Sequence, residues 1–460
     1  MQQDTYDLLV IGAGPAGSAA ATTAAEERHR VALVERDKIG GTCLNYGCDP
    51  TKALLHIADL LHRARHSEPY GLRITGARAD WPAVQTHLRQ LVDRVRGGDD
   101  QQTREDLSKR GIDVFKGEAR LVSAHEVLVG SQKLQAERIV VATGSQAIIP
   151  EVAGLRDTGF ITNKEAIWLP ELPRRLAIVG GGPIGIEFAQ LFRRFGVEVS
   201  VLEQGPMVLA KDDRELADML CGLLSEAGIR IETSVELRQV QRHDGGKRLI
   251  YRCPERSEEE LIADEILVAV GYQPVLAGLN LAAAGVATDD DGLVADRYLR
   301  TSVPHIWAAG DVAGEYQFTH VAFDQGRLAA RNAFASQPQA FDQRFVPWVT
   351  YTSPELAHVG KTEQELREQG IVYRVGRKPM DAVERAVVIG QPEGLVKLLV
   401  GGDGQLLGAH ILSASAGELI APACLAMRAG LPAEQLASTM LPYPTLAEGL
   451  RWAAEDALGG

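Results

Sequence analysis

Two cysteines, Cys43 and Cys48, carry the plainest chemistry in this chain of 460 residues; they lie five apart in GGTCLNYGCDPTK, Gly40 to Lys52. The apolar spacing of Leu54, Leu55, Ala58 and Leu61 predicts a helix from Thr51 to about Arg65. A thiol near the N-terminus of such a helix feels the positive end of its dipole, which favours the thiolate. In a regular helix, Cα atoms five residues apart lie beyond the roughly 4.4–6.8 Å that a disulfide spans. Pro50, with no N–H for the carbonyl four residues back, supplies a distortion. On spacing alone, two buried cysteines at a helix start fit as well as a reactive pair, and Lys52 reads as an exposed helix lysine.

The elements that must position this stretch are written twice in the chain. Tyr6–Ile11 is an apolar run that ends at Gly12-Ala13-Gly14-Pro15-Ala16-Gly17; an Ala-rich helix, the strand Val31–Val34 and Glu35 follow. Leu176–Val179 likewise runs into Gly180-Gly181-Gly182-Pro183-Ile184-Gly185, then a helix to about Phe195, a strand Val197–Leu202 and Glu203. Gly12 to Glu35 and Gly180 to Glu203 are each 23 residues apart. The glycines let the backbone approach a pyrophosphate at a helix N-terminus, and the acid is placed for a ribose hydroxyl. Both copies keep every glycine and the acid, so the chain is expected to bind two dinucleotides.

Composition narrows the class. Apolar residues make up 45% and charged residues 24%, as in ordinary globular proteins, and the length suits two to four domains. A net charge of -13 argues against a nucleic-acid or anionic-membrane partner. Five cysteines are too few for a disulfide scaffold, and Cys221, Cys253 and Cys424 read as scattered core or surface thiols. The start MQQDTYDLLVIGAGPAG has no basic region ahead of its short apolar run, so a cytoplasmic location is expected. His62 and His66 stand at zinc-compatible spacing on the helix after the cysteines, near His56, but with no third ligand they read as a solvated face, and no metal is expected.

With those elements in place, GGTCLNYGCDPTK resembles the redox-active signature of the FAD-dependent pyridine nucleotide–disulfide oxidoreductases, which include dihydrolipoamide dehydrogenase, glutathione reductase and mercuric reductase. Ile139–Ser145, with Thr143-Gly144, resembles the family's turn out of the FAD domain, and Ile266–Gly271 with Tyr272-Gln273-Pro274 mirrors it. TSVPHIWAAGDVAG, Thr301–Gly314, is similar to the second FAD motif, and Phe318-Thr319-His320-Val321 opens the helix that follows it. The resemblance spans about Asp4 to Ala454.

It implies an α/β fold with two Rossmann-like domains and a C-terminal α+β dimerisation domain, hence a homodimer. The FAD domain would take 1–148 and 275–340, the NAD(P) domain 149–274 and the interface domain 341–460. FAD would contact Gly12, Gly14, Gly17, Glu35, Gly41, Thr42, Lys52, Ala119, Thr143, Gly144, Asp311 and His320. The nicotinamide nucleotide would contact Gly180, Gly182, Gly185, Glu203 and Gly271. Electrons would pass from NAD(P)H through flavin to a Cys43–Cys48 disulfide and on to a small-molecule acceptor, as in mercuric reductase. Cys48 would be the thiolate beside the flavin, Cys43 the interchange thiol, and Lys52 the flavin-side lysine with Glu187 as its partner. Glu203 suits a ribose 2′-OH and repels a 2′-phosphate, while Gln204 and Gly205 bring no adjacent arginine, so NADH is expected over NADPH.

Three features depart from the family pattern. Asp49 follows Cys48 where an uncharged residue is usual, and a carboxylate there disfavours the thiolate. Leu441-Pro442-Tyr443-Pro444-Thr445-Leu446-Ala447-Glu448 matches the stretch in which a histidine crosses the dimer, with Tyr443 in its place and Glu448 kept. Tyrosine, with a pKa near ~10, is a poor proton acceptor at neutral pH. The C-terminus lacks the vicinal cysteines of a mercuric reductase tail. Dihydrolipoamide dehydrogenase, a diaphorase reducing quinones or metal ions, and a flavin-binding redox sensor are the alternatives.

Overall fold

In the computed structural model, which describes residues 5–254, 256–314 and 316–459, the apolar run Tyr6–Ile11 lies inside a mostly parallel sheet. The order is Ile112–Lys116, Val31–Glu35, Tyr6–Ile11, Gln132–Val141, Glu126–Val129 and Ala119–Leu121, with Ile306–Ala308 also paired to Gln132–Val141. The last two strands of that path run antiparallel; the others named are parallel. Leu8, Leu9 and Val10 are fully buried because both sheet faces are covered, which is why the run is continuous rather than alternating. This sheet belongs to one compact unit, formed by the chain up to Ala53, Pro82–Ile148 and Gly271–Asp342.

Helix Pro15–Glu26 packs against helix Thr319–Phe334 in this unit. The crossing is close: a Cβ on Gly326 would lie 2.1 Å from the Ala16 carbonyl oxygen. The Ala-rich first helix and Gly326 let the two backbones meet, and that seat fixes the start of the second helix.

The second unit comprises Leu54–Trp81, Ile149–Val270 and the chain from Gln343. Its parallel sheet runs Arg230–Glu232, Glu198–Leu202, Arg175–Val179, Glu265–Val268, the second copy of the strand–turn–helix unit. A three-stranded antiparallel sheet, Glu236–His243, Gly246–Arg252 and Glu258–Ala263, joins it. A five-stranded antiparallel sheet follows in the order Trp348–Thr350, Glu355–Gly360, Leu406–Ser413, Leu395–Gly401, Tyr373–Pro379. Helices Ala416–Ala429 and Glu448–Leu458 cover it around a core of Val396, Leu398, Ile411 and Ala453.

Lys397 of that sheet is buried, 1% exposed, yet charged partners surround it: Asp213 at 2.9 Å, Glu363 at 2.7 Å and Glu215 at 2.9 Å. Burial works against its ammonium, but the hydrogen bonds it donates to Glu363, Glu215 and Asp213 prevail and raise its pKa. Asp213 caps helix Arg214–Glu226 through the Glu215 N–H, so the lysine ties the second dinucleotide fold to the five-stranded sheet. Among the described residues, no helix is long and apolar enough to cross a membrane.

Candidate functional site

The stretch expected to form one distorted helix start is two helices. Cys43 lies in the short helix Gly41–Tyr46, and Cys48 is the first residue of helix Cys48–Arg65. The break falls at Gly47, with φ -138 and ψ -112, rather than at Pro50. Pro50 sits in the first turn of the longer helix, where its missing N–H has no helical partner to lose.

Neighbouring elements hold this loop from both sides. The Gly40 N–H donates to the Ala13 carbonyl at 2.8 Å, and a Cβ on Gly41 would lie 2.6 Å from Gly14 Cα. Asn45, buried, donates to the Ile39 and Gly41 carbonyls at 3.1 and 2.9 Å. The Arg96 guanidinium in turn donates to Asn45 Oδ1. The cysteine loop is therefore tied to the first glycine turn and to helix Trp81–Arg96.

Both cysteines are free thiols and face one hydroxyl. Thr319 Oγ1, at the start of helix Thr319–Phe334, lies 3.2 Å from Cys43 Sγ and 3.3 Å from Cys48 Sγ. The Cys48 thiol is lowered to about 6: the hydrogen bond from Cys43 contributes most, burial opposes it, and the Lys52 charge and Thr319 hydroxyl lower it further. Cys43 is pushed far up, first by the same contact with Cys48 and then by burial. The Asp49 charge raises both thiols. Burial raises the Asp49 carboxyl itself, with Lys52 opposing. The pair is thus polarised, with Cys48 the sulfur that holds negative charge.

The first glycine turn has the shape of a phosphate seat. Helix Pro15–Glu26 begins at Gly14 with no side-chain cap, leaving its N-terminal N–H groups open, and a Cβ on Gly17 would lie 1.8 Å from the Gly12 carbonyl oxygen. Glu35 ends the second strand, and Asp311 is held by the Ser145 hydroxyl, which donates to it at 2.6 Å. Burial raises the Asp311 carboxyl. Thr143 donates to the Val275 carbonyl at 2.8 Å, and the Val275 N–H donates to Gly144 at 2.9 Å, closing the turn. These residues, with the Thr319 helix start, fit a bound FAD: an open helix N-terminus for pyrophosphate and buried carboxylates for hydroxyls.

Other expected residues are placed as follows. Ala119 is buried in the antiparallel edge of the sheet, and Thr42 is half-buried between Gly41 and Cys43. His320 is exposed and its ring stacks on Phe318 at 5.5 Å; its neighbour Thr319 reaches the sulfurs. Gly180, Gly182 and Gly185 form the second turn, where a Cβ on Gly185 would lie 2.1 Å from the Gly180 carbonyl oxygen. Gly271, at φ +129, accepts the Ile148 N–H at 2.9 Å. Glu187 is buried and accepts the Tyr351 N–H at 2.9 Å. Tyr443 is 72% exposed, while Glu448 is buried and accepts the Thr445 N–H at 3.1 Å. The His62 and His66 rings lie 4.2 Å apart and tilted, and among the described residues no group of three His, Cys, Asp or Glu is placed to hold a metal.

Sequence reasoning passed over Thr319, Asn45 and Ser145. Thr319 had a visible signal, a hydroxyl residue at a helix start beside the one singled out. Asn45 and Ser145 act through partners 51 and 166 residues away, which no local pattern reveals.

Comparison with known proteins agrees with this geometry. The profile described as pyridine nucleotide-disulphide oxidoreductase matches residues 6–326, and that family's dimerisation domain matches 346–454. A mercuric reductase of Staphylococcus aureus is 37% identical, covering 98% of this chain and 82% of its own length. A dihydrolipoyl dehydrogenase of Thermus scotoductus is also 37% identical, covering 98% of this chain and 97% of its own. Among solved structures, the HOCl-induced flavoprotein disulfide reductase RclA of Escherichia coli superposes with a TM-score of 0.87 at 31% identity, over 97% of this chain and 98% of its own. Its Cu(II) complex superposes with a TM-score of 0.88 at 30% identity, over 98% and 99%. The doubled dinucleotide fold, the paired thiols and the C-terminal domain together place the chain in the pyridine nucleotide–disulfide oxidoreductase family, FAD-dependent flavoproteins that use pyridine nucleotides and a disulfide redox centre.

Proposed function

We propose that the chain uses NADH to reduce a Cys43–Cys48 disulfide and that the resulting dithiol delivers two electrons to a soft metal ion. The polarised thiol pair under Thr319 carries this reading, since Cys48 titrates near 6 and is a thiolate at neutral pH. FAD, when bound, supplies the two-electron carrier between nicotinamide and disulfide. The chain's own residues do the rest. Lys52 favours the Cys48 thiolate, and Cys43 is the interchange thiol that meets the acceptor. Two adjacent sulfurs suit soft metals, which prefer sulfur over oxygen donors. Relatives named mercuric reductase and a neighbour solved as a Cu(II) complex support this acceptor class.

Tyr443 supports it from the other side. Dithiol substrates such as dihydrolipoamide need a group that takes and returns a proton near pH 7, and tyrosine does not supply one. Glu448 would hold the loop that carries Tyr443. NADH is favoured because Glu203 ends its strand at the second glycine turn without an adjacent arginine.

The test is an anaerobic NADH titration of the FAD-loaded enzyme, followed by an acceptor panel of Hg²⁺, Cu²⁺, lipoamide, glutathione disulfide and a quinone. A long-wavelength thiolate–flavin band lost in Cys48→Ser, with metal-ion turnover lost in Cys43→Ser, is the expected outcome. Lipoamide as the fastest acceptor would make the chain a dihydrolipoamide dehydrogenase. Quinone turnover unaffected by Cys43→Ser would make it a diaphorase.

A further inference from the structure

A hydroxyl has one hydrogen to give, and Thr319 gives it to sulfur. Its Oγ1 donates to Cys43 Sγ at 3.2 Å and lies 3.3 Å from Cys48 Sγ. The Cys43 S–H in turn donates to Cys48 and supports the negative charge there. The three groups form a directed chain, hydroxyl to Cys43 to Cys48, with the charge at its end. Oxidation dismantles that chain. A disulfide has no S–H to pass on and no charge to receive, and uncharged sulfur is a weak acceptor. The hydrogen bonds therefore favour the reduced pair. We propose that Thr319 raises the reduction potential of the Cys43–Cys48 pair, so that electrons taken from NADH rest on the sulfurs. The proposal rests on the reading of these two cysteines as the redox pair.

Atoms and electrons close over the step. NADH gives up a hydride and becomes NAD⁺, the S–S bond breaks and Cys48 leaves as the thiolate. Cys43 takes up one proton, the equivalent of the hydride's hydrogen. Two electrons and one proton are thus stored as one S–H and one S⁻. A donor aimed at the pair favours that product over the disulfide, as in any dithiol whose reduced form is stabilised. The largest effects on the two sulfurs are their mutual contact and burial; beyond these, Thr319 favours the charged form of both. Donation into Cys43 also polarises its S–H toward Cys48, so the two bonds strengthen each other. The hydroxyl is aimed by the helix that Gly326 seats on Ala16, so the donor belongs to a rigid element.

The test reads the potential itself. The FAD-loaded enzyme is equilibrated anaerobically at pH 7 with graded mixtures of reduced and oxidised dithiothreitol and quenched in acid. The Cys43 and Cys48 thiols are then alkylated with N-ethylmaleimide and counted by mass. Thr319→Val, which keeps the shape and loses the hydroxyl, is expected to shift the equilibrium about tenfold toward the disulfide, a potential about 30 mV lower. Thr319→Ser keeps the hydroxyl and is expected to stay within about twofold of wild type. An unchanged or raised potential in Thr319→Val overturns the proposal. So does a Thr319→Ser enzyme that falls as far as the valine variant, because packing of the methyl group then accounts for the shift. Thr319→Ala replaces valine if that variant does not take up FAD. If neither does, wild-type crystal structures in the two redox states decide: Thr319 Oγ1 closer to a sulfur in the dithiol than in the disulfide supports the proposal, and an equal or longer distance overturns it. A wild type that forms no disulfide between Cys43 and Cys48 would instead remove the redox-pair reading itself.

Discussion

Glu35 and Glu203 are gripped alike. Each carboxylate accepts the N–H that follows the first glycine of its turn, from Ala13 at 2.7 Å and from Gly181 at 2.5 Å. Each also accepts the N–H two residues beyond itself, from Asp37 at 2.6 Å and from Gly205 at 2.5 Å. The acid therefore braces the glycine turn, and its remaining lone pairs are left to accept from a ribose hydroxyl when a nucleotide is bound.

For Glu203 this gives a prediction about nucleotide choice. NADH is expected to exceed NADPH in kcat/KM by roughly tenfold or more, a difference on the order of 1–3 kcal/mol at a partly solvated site. Glu203→Ala should weaken both nucleotides, since the turn loses its brace, and should cost NADH more. Steady-state kinetics with both nucleotides checks it; equal wild-type efficiency would rule the assignment out.

Asp49 should tune the thiolate. Cys48 ionises above about pH 6, so the long-wavelength band of the reduced enzyme is expected at pH 7 and above and should fade as pH drops through that value. Asp49 raises Cys48, so Asp49→Asn removes an opposing charge and should move the midpoint down, by roughly half a unit or less. An upward move would mean that the carboxylate acts through Lys52 instead.

Tyr443→His should supply a proton shuttle that tyrosine does not. The residue is exposed, so the change costs little stability. Lipoamide turnover should rise, with a ceiling of about 10²–10⁴-fold from general acid–base help. Flavin reduction by NADH, followed by stopped flow, should stay as it was. Wild-type lipoamide turnover near ~10² s⁻¹ would show that the proton path runs elsewhere.

Lys397→Met should destabilise the second unit by about 3–5 kcal/mol, because it leaves the Asp213 carboxylate buried without its cation. Burial raises the Glu363 carboxyl, but Lys397 and Tyr373 prevail and hold it at about 2. A depressed carboxyl stabilises the fold above its unfolded pKa of about 4.3, and that contribution is lost as pH falls from there towards 2. Lys397→Met should flatten this acid limb in thermal melts; an unchanged limb would assign it to other carboxylates.

Much of this was legible in the sequence because it is local. The two glycine turns and their acids 23 residues on follow from spacing along single segments, and the cysteine pair from the family signature that GGTCLNYGCDPTK resembles. The loop's true break was not legible, since Pro50 is the stronger breaker on paper and fits a first helical turn without strain. Lys397 in a strand reads as an edge or surface residue, because its three carboxylates come from segments far along the chain. Thr319 stood one residue from the position chosen, and only the tertiary seat of its helix shows which of the two faces sulfur.

Thr319 and Gly326 are seven residues apart on one helix, close to two full turns, so they share a face. The glycine rests on the first helix of the fold and the threonine touches the sulfurs, which makes the interval between them a ruler. One residue inserted there would swing the hydroxyl about 100° around the helix axis. Descendants of this chain can vary the exposed positions of that interval freely, but its length is fixed by the sulfurs at one end and a missing methyl group at the other.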